Sequence, residues 1–223
     1  MAEVGGRPVL GYGLESLQKS TFLRETIRVV VGVHKKAVVD YCGGDVVINE
    51  QKNLDGNLDA LDIGLKGVDL KQERSILVMQ ADDCLTVGSE TIGGMVRFHE
   101  GKRADITLLL TNCFDASAHR RHYILSGSQA VVSIDKLGGL MGCSNFLAGV
   151  FCFSGKFLTQ YLSEALQIEK GQKEKVISTL FDLARENHCR VFGCLLDNPW
   201  VSINTPDQLD FARKHFSDLR LHI

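Results

Sequence analysis

"SILVMQADD", Ser75 to Asp83, is a short apolar run that ends abruptly in two carboxylates. A strand with one wet face alternates apolar and polar residues. An unbroken run such as Ile76 to Met79 is what a strand covered on both faces requires. The same texture recurs outward along the chain, in "TIRVVVGV" (26–33), "DVVINE" (45–50) and "ADITLLLTN" (104–112). Segments of helical spacing lie between these runs. Leu58, Leu61 and Leu65 share one face of 58–70, and 91–102 reads as helical despite Gly93 and Gly94. Alternation of this kind predicts an α/β fold: a mixed, mainly parallel sheet with helices on both faces.

The texture then changes. "HYILSGSQAVVSIDK" (122–136) reads as two strands around the turn "SGS", an antiparallel insertion. A strand at 145–154, helices at 155–170 and 173–188, and a strand at 189–196 follow. Next, "WVSINTPDQLDFARKHF" (200–216) reads as a strand with one face toward a site, ending at a helix. Thr205 suits the N-cap, Pro206 the first turn, and Asp207 the positive end of the helix dipole. Leu209, Phe211 or Ala212, and Phe216 would pack this helix back on the sheet. There is no linker, low-complexity tract or repeat, so residues 1–223 are expected to form a single domain.

Composition narrows the class. The 223 residues are 44% apolar and 23% charged, with a formal charge of −2. That is the balance of a globular protein, with no global field to attract nucleic acid or an anionic membrane, so neither is expected as a partner. No run approaches the roughly 18 apolar residues of a membrane span, and "MAEVGGRPVL" lacks a leader pattern. Seven cysteines, an odd number without a CxxC pair, read as buried reduced thiols and point to a cytoplasmic location.

Ligands of open α/β sheets bind beyond the carboxyl ends of the strands. Asp82 and Asp83 stand at such an end. On extended backbone they point to opposite sides, so one of the two would face a site. A carboxylate there either holds Mg²⁺ together with substrate phosphates or caps the next segment. "HRRH" (119–122), with Lys102 and Arg103, reads as a solvated basic loop, and "HKK" (34–36) as a surface helix start. "DKLGGLMGCSN" (135–145) is no dinucleotide fingerprint. Its glycines suit a loop flanked by Asp135, Lys136 and Asn145, which could line a pocket. No nucleophile elbow, HExxH or Walker loop is present.

Together these segments resemble the sugar-phosphate nucleotidyltransferases, also called NDP-sugar pyrophosphorylases. "GRPVLGYGLESL" is similar to the family's "gKPli.y.le.L", and "QKNLDGNLDAL" (51–61) to the "QpxPdGlaqAl" segment that contacts the base. "ILVMQADDCL" is similar to the "vlv.nGD" strand end, with Asp82 at the metal-binding acid. "VVSIDK" resembles "v..i.EKP" of the sugar pocket, with Leu137 where proline is usual. "SNFLAGVFCFS" resembles "SNla.aGiYvf", one residue shorter between Asn145 and Gly149. "WVSINTPDQLDFA" is similar to "W.DiGTpedl..A". Five or six degenerate motifs occur in the family's order over most of the chain.

The resemblance implies a Rossmann-like, GT-A-type fold and transfer of a nucleoside monophosphate from a nucleoside triphosphate to a sugar 1-phosphate, with Mg²⁺. It implies Asp82 as metal ligand, Gln51 and Gly56 at the nucleotide, and Asp135, Lys136, Asn145 and Gly149 at the sugar phosphate. Ser202 stands where many members carry a second metal-binding Asp. The usual first strand and its glycine-rich triphosphate loop have no counterpart ahead of "MAEVGG", so a nucleotidyltransferase-like domain lacking both is expected. Relatives self-associate, which implies a homo- or hetero-oligomer. The alternative is a non-catalytic regulatory or scaffolding relative, and further off an unrelated α/β binding module.

Overall fold

The computed structural model describes residues 1–20, 27–33, 35–44, 46–111, 122–126, 130–134, 146–196 and 198–220, with backbone alone for 122–126 and 130–134. In chain order the elements are β1 (Glu3–Val4), β2 (Arg7–Pro8), α1 (Val9–Lys19), β3 (Arg28–Val31), α2 (Lys35–Cys42), β4 (Val47–Glu50), α3 (Asn57–Gly64), β5 (Ile76–Met79), α4 (Ser89–Lys102), β6 (Ile106–Thr111), β7 (His122–Ser126), β8 (Ala130–Ile134), β9 (Phe146–Phe153), α5 (Gly155–Ile168), α6 (Ser178–Glu186), β10 (Val191–Leu195), α7 (Pro206–Lys214) and α8 (Phe216–Arg220).

The α/β fold with a mixed sheet expected from the sequence is the one observed. Six strands pair in the order β5-β9-β6-β10-β8-β7. Because successive side chains of a strand point to opposite faces, the continuous apolar runs of β6 and β9 feed two cores. Ile106, Leu108 and Leu110 join Phe151 and Phe153 against Leu58 and Leu61 of α3, Phe157 and Leu158 of α5, and Phe181 of α6. Leu109, Val150 and Cys152 face the other way, onto Ile92 and Met95 of α4 and onto Trp200. Helices therefore cover both faces. Each such side chain taken fully from water is worth about 1.5–3 kcal/mol, so this central pair carries a large share of the driving force.

Strand directions differ in detail from a mainly parallel ladder. β5, β6, β10 and β7 run one way, but β9 enters antiparallel between β5 and β6, and β10 pairs β8 antiparallel. Among described residues, the parallel pairs are β6–β10 and β3–β4. β7 and β8 form the expected antiparallel hairpin, His122 opposite Ile134. β3 and β4 make a two-stranded unit of their own, hydrogen-bonded to neither neighbouring sheet and packed on α3. β5 is consequently an outer strand, and all four of its residues stay half-buried. That explains an apolar run without full burial.

The segment 200–204 is a correction to the sequence reading: it is not a strand. Trp200, Val201 and Ser202 are all buried in succession, because the segment runs between packed elements and does not lie on a sheet. Helix α7 begins as expected. The Thr205 side chain accepts from Gln208 N at 3.2 Å and the Gln208 side chain accepts from Thr205 N at 3.1 Å, a reciprocal capping box with Pro206 at the first turn. Ala212 is fully buried and Leu209 and Phe216 pack beside it, whereas Phe211 stands half in solvent.

The amino-terminal hairpin β1–β2 is tied down by Tyr12. Its ring lies between the guanidinium groups of Arg7 and Arg220, 5.1 and 4.8 Å from the ring centroid, and its hydroxyl donates to Val4 O at 2.8 Å. Among described residues, Cys42, Cys84, Cys152, Cys189 and Cys194 are free thiols, and burial pushes Cys84 and Cys194 up to about 11. Cys113 and Cys143 lie outside the described residues. Among the described residues no helix is long and apolar enough to cross a membrane.

His99 of α4 is buried, with Nδ1 2.9 Å from Thr107 Oγ1 and, among the described residues, no hydrogen-bond partner at Nε2. Burial pushes its pKa down to about 4. In the unfolded chain an imidazole titrates near about 6.5. Below that pH the unfolded state takes up a proton that the folded state refuses, so stability falls as pH drops from about 6.5 to about 4. The loss from this group should reach about 3 kcal/mol. Urea denaturation at stepped pH, compared with His99→Leu, checks this: the wild type should lose more stability across that window than the variant.

Candidate functional site

The chain leaves β5 through a tight turn, Gln80–Asp83, closed by Asp83 N donating to Gln80 O at 3.2 Å. Two neighbours hold the turn. Gln80 N donates to Gly149 O of β9 at 2.9 Å, and Ile203 N donates to Asp82 O at 3.0 Å. The two carboxylates part at this turn, not on the extended backbone that the sequence reading assumed. Asp83 goes into the protein, 2% exposed, and Asp82 lines a cavity of about 430 Å³. That cavity is lined by the end of β3 (Val31, Gly32), the start of α1 (Val9, Leu10), the turn after β5 (Ala81, Asp82) and Ile203. It therefore opens at the carboxyl ends of both β3 and β5, where α/β sheets bind ligands.

The segment that carries Ser202 meets the turn that carries Asp82. The Ile203 amide reaches Asp82 O, and Ser202, next in line, is 6% exposed. The Ser202 hydroxyl accepts from the Asn204 side-chain amide. Among described residues no group of three or more His, Cys, Asp or Glu side chains could hold a metal by itself. Asp82 is a single carboxylate at the cavity and Ser202 is not among the residues that line it, so Mg²⁺ would fit here only with substrate phosphates completing the shell, which is this ion's habit.

Gln51 and Gly56 lie at the end of β4 and the loop entering α3, and neither is among the residues lining the cavity. Gln51 N donates to Val31 O at 2.8 Å, continuing the β3–β4 ladder. The buried Gln51 side chain donates through Nε2 to Gly56 O and to Asp59 Oδ2, both at 3.0 Å. Lys175 crosses from the loop before α6 and bridges Asp59 at 3.2 Å and Asp55 at 3.4 Å. Gln51 thus belongs to a hydrogen-bonded network that fixes the loop entering α3. Gly56 has φ +99°, and a Cβ there would lie 2.3 Å from Lys175 O. Close backbone approach accounts for this glycine.

Lys35, read from the sequence as surface, lines the cavity and pairs with Glu50, whose carboxyl it holds below the usual range. No local sequence signal marks it, because its place depends on β3 and β4 meeting α2. Gly149 has φ +66°, and the space its side chain would take is filled by Asp83. Asp135, Lys136 and Asn145 lie outside the described residues, as do residues 119–121 of "HRRH" and the glycine-rich loop.

The chain matches no protein-family model. It is 22% identical over 194 residues to the bifunctional protein GlmU of Mycolicibacterium gilvum (strain PYR-GCK), covering 82% of this chain and 39% of that protein. The chain thus spans about two fifths of the length of this curated relative. In three dimensions it is similar to a protein provisionally assigned as a glucose-1-phosphate thymidylyltransferase of Bacillus anthracis, in complex with a sucrose, at TM-score 0.76 and 15% identity, covering 98% of this chain and 86% of that one. It is also similar to CMP:2-keto-3-deoxy-manno-octonic acid synthetase complexed with CTP, at TM-score 0.68 and 14% identity, covering 96% and 90%. At these identities the likeness shows the fold: it is that of the nucleotidyltransferases, as the sequence motifs suggested.

Gly56→Ala should destabilise the protein by at least about 2 kcal/mol, from backbone strain at positive φ and the clash with Lys175 O. Lys175→Met should destabilise less than Gly56→Ala, since its ion pairs are partly solvated. Urea midpoints of the two variants measure both.

Proposed function

We propose that this chain is a nucleotidyltransferase domain that moves a nucleoside monophosphate from a nucleoside triphosphate onto a sugar 1-phosphate or a related phosphate-bearing acceptor. The observation that carries this reading is Asp82. A carboxylate from a turn clamped on two sides lines a cavity at the carboxyl ends of β3 and β5, in a fold shared with enzymes of this chemistry. The ordered motifs from "GRPVLGYGLESL" to "WVSINTPDQLDFA" support the same reading along the chain.

In the proposed reaction an acceptor phosphate oxygen attacks the α-phosphorus in line. The bond from that phosphorus to the bridging oxygen breaks, and pyrophosphate leaves. Such a transfer asks the protein for positioning and for charge neutralisation, with little covalent help. Bound Mg²⁺ supplies neutralisation of the triphosphate. Asp82 would contribute its protein carboxylate and Ser202 a weaker neutral oxygen. Lys35 offers a cation at the cavity, released from Glu50 in favour of phosphate. Gln51 and Gly56, in the braced loop entering α3, remain the nucleotide-side candidates of this reading. Asp135, Lys136 and Asn145 remain the sugar-side candidates of this reading, whereas the open side of Gly149 is taken up by Asp83.

Full-length protein with Mg²⁺, a panel of nucleoside triphosphates and a panel of sugar 1-phosphates should release pyrophosphate. Asp82→Ala should lower that release about 10²- to 10³-fold, the usual cost of removing a group that stabilises transition-state charge, with its thermal midpoint nearly unchanged. Ser202→Asp, which restores a second carboxylate, should tighten the Mg²⁺ requirement. Absence of release with every nucleotide and acceptor would sink the reading and leave a non-catalytic relative.

A further inference from the structure

Asp83 sits beside the candidate metal ligand yet takes no place in the cavity. It is 2% exposed, and a side-chain carbon built on Gly149 would lie 2.1 Å from its Oδ2 and 2.6 Å from its Cβ and Cγ. Gly149 lies in a β-bulge. Leu108 of β6 faces Phe151 while Leu110 faces Leu147, so two steps along β6 match four along β9. Positive φ at Gly149 lets the chain make that bulge, and the missing side chain leaves a notch that the Asp83 carboxyl occupies. The bulge carbonyl at Gly149 accepts from Gln80 N, at the other end of the same turn. The turn Gln80–Asp83 is thus gripped by β9 at both its ends, and Asp82 is the residue between that projects to the cavity and receives the Ile203 amide.

We propose that Asp83 is a positioning residue: seated in the Gly149 notch of the β9 bulge, it fixes the turn that aims Asp82 into the cavity and holds Ile203, with its neighbour Ser202, against that turn. The glycine at 149 is there to admit the Asp83 carboxyl. The two residues act as one unit, and neither needs to touch substrate. The geometric part of this assignment stands on the structure alone, and its consequence for turnover rests on the transferase reading given above.

A double-mutant cycle with native-state hydrogen exchange tests it. The variants are Asp83→Gly, Gly149→Ala and the pair together, with Asp83→Ala read by hydrogen exchange should Asp83→Gly not fold. Only removal of the Asp83 side chain through its Cβ clears all three atoms that crowd a methyl group at 149. Gly149→Ala should therefore lower the folding equilibrium constant at least tenfold more in the wild-type background than in the Asp83→Gly background. In both single variants the Ile203 amide should exchange at least tenfold faster relative to the Leu108 amide of β6 than it does in the wild type. Where the wild type turns over, both should lower kcat tenfold or more with KM for the nucleotide little changed. An additive cycle, or Ile203 exchange that merely follows Leu108, overturns the proposal, as does an unchanged kcat in a variant whose Ile203 protection is lost. A wild type without turnover sinks the transferase reading alone, because the cycle and the exchange rates still decide the role of Asp83.

Discussion

Burial of β6 and β9 on both faces is the constraint from which the rest of the architecture follows. Leu108 and Phe151 pack on one side and Leu109 and Val150 on the other. A strand pair with no wet face must find helices for both sides, and the chain supplies α3, α5 and α6 for one and α4 for the other. The same burial leaves no room for an unpaired backbone group at the centre. β9 satisfies this by pairing β6 and β5 at once, even though that reverses the direction of a ladder whose neighbours run the other way. Its single interruption, the bulge at Gly149, falls where the turn after β5 needs a foothold.

That coincidence links core and site. β5 pairs on one edge only, so its end would be free to fray were the turn Gln80–Asp83 not held by the bulge on one side and by Ile203 on the other. The β3 side of the cavity is held by different means. Among described residues the β3–β4 unit has no ladder to the main sheet, and the nearby loop at Gly56 is joined to Lys175 by backbone bonds and ion pairs and to Gln51 by its side-chain amide. One side of the cavity is thus an extension of the core, and the loop that enters α3 is held by a polar lattice.

Much of this was legible in the sequence because it is local. The apolar runs, the helical spacing of Leu58 and Leu61, the "SGS" hairpin and the Thr205–Pro206 helix start are set by periodicity and capping within a few residues. Asp82 and Asp83 were expected to diverge on an extended strand end; they do diverge, but through a turn, which sends one to the cavity and the other to the core. The segment Trp200–Asn204 misled for an identifiable reason. Its polar–apolar alternation imitates a strand, but its hydrogen-bond partner is a turn, and three consecutive residues are buried because packed elements enclose it. Lys35 gave no signal at all, since a lysine opening a short helix looks like any other surface charge.

By itself the sequence determined the class of the fold, the identity of most elements and the position of the acidic strand end, because propensity, spacing and caps act over a few neighbouring residues. Only the tertiary structure decided which strands adjoin, that β9 runs antiparallel between β5 and β6, and that Gly149 leaves room for Asp83 while Gly56 leaves room for Lys175. Those outcomes depend on contacts between residues far apart in the chain, whose selection rests on shared burial and backbone pairing that no local pattern encodes.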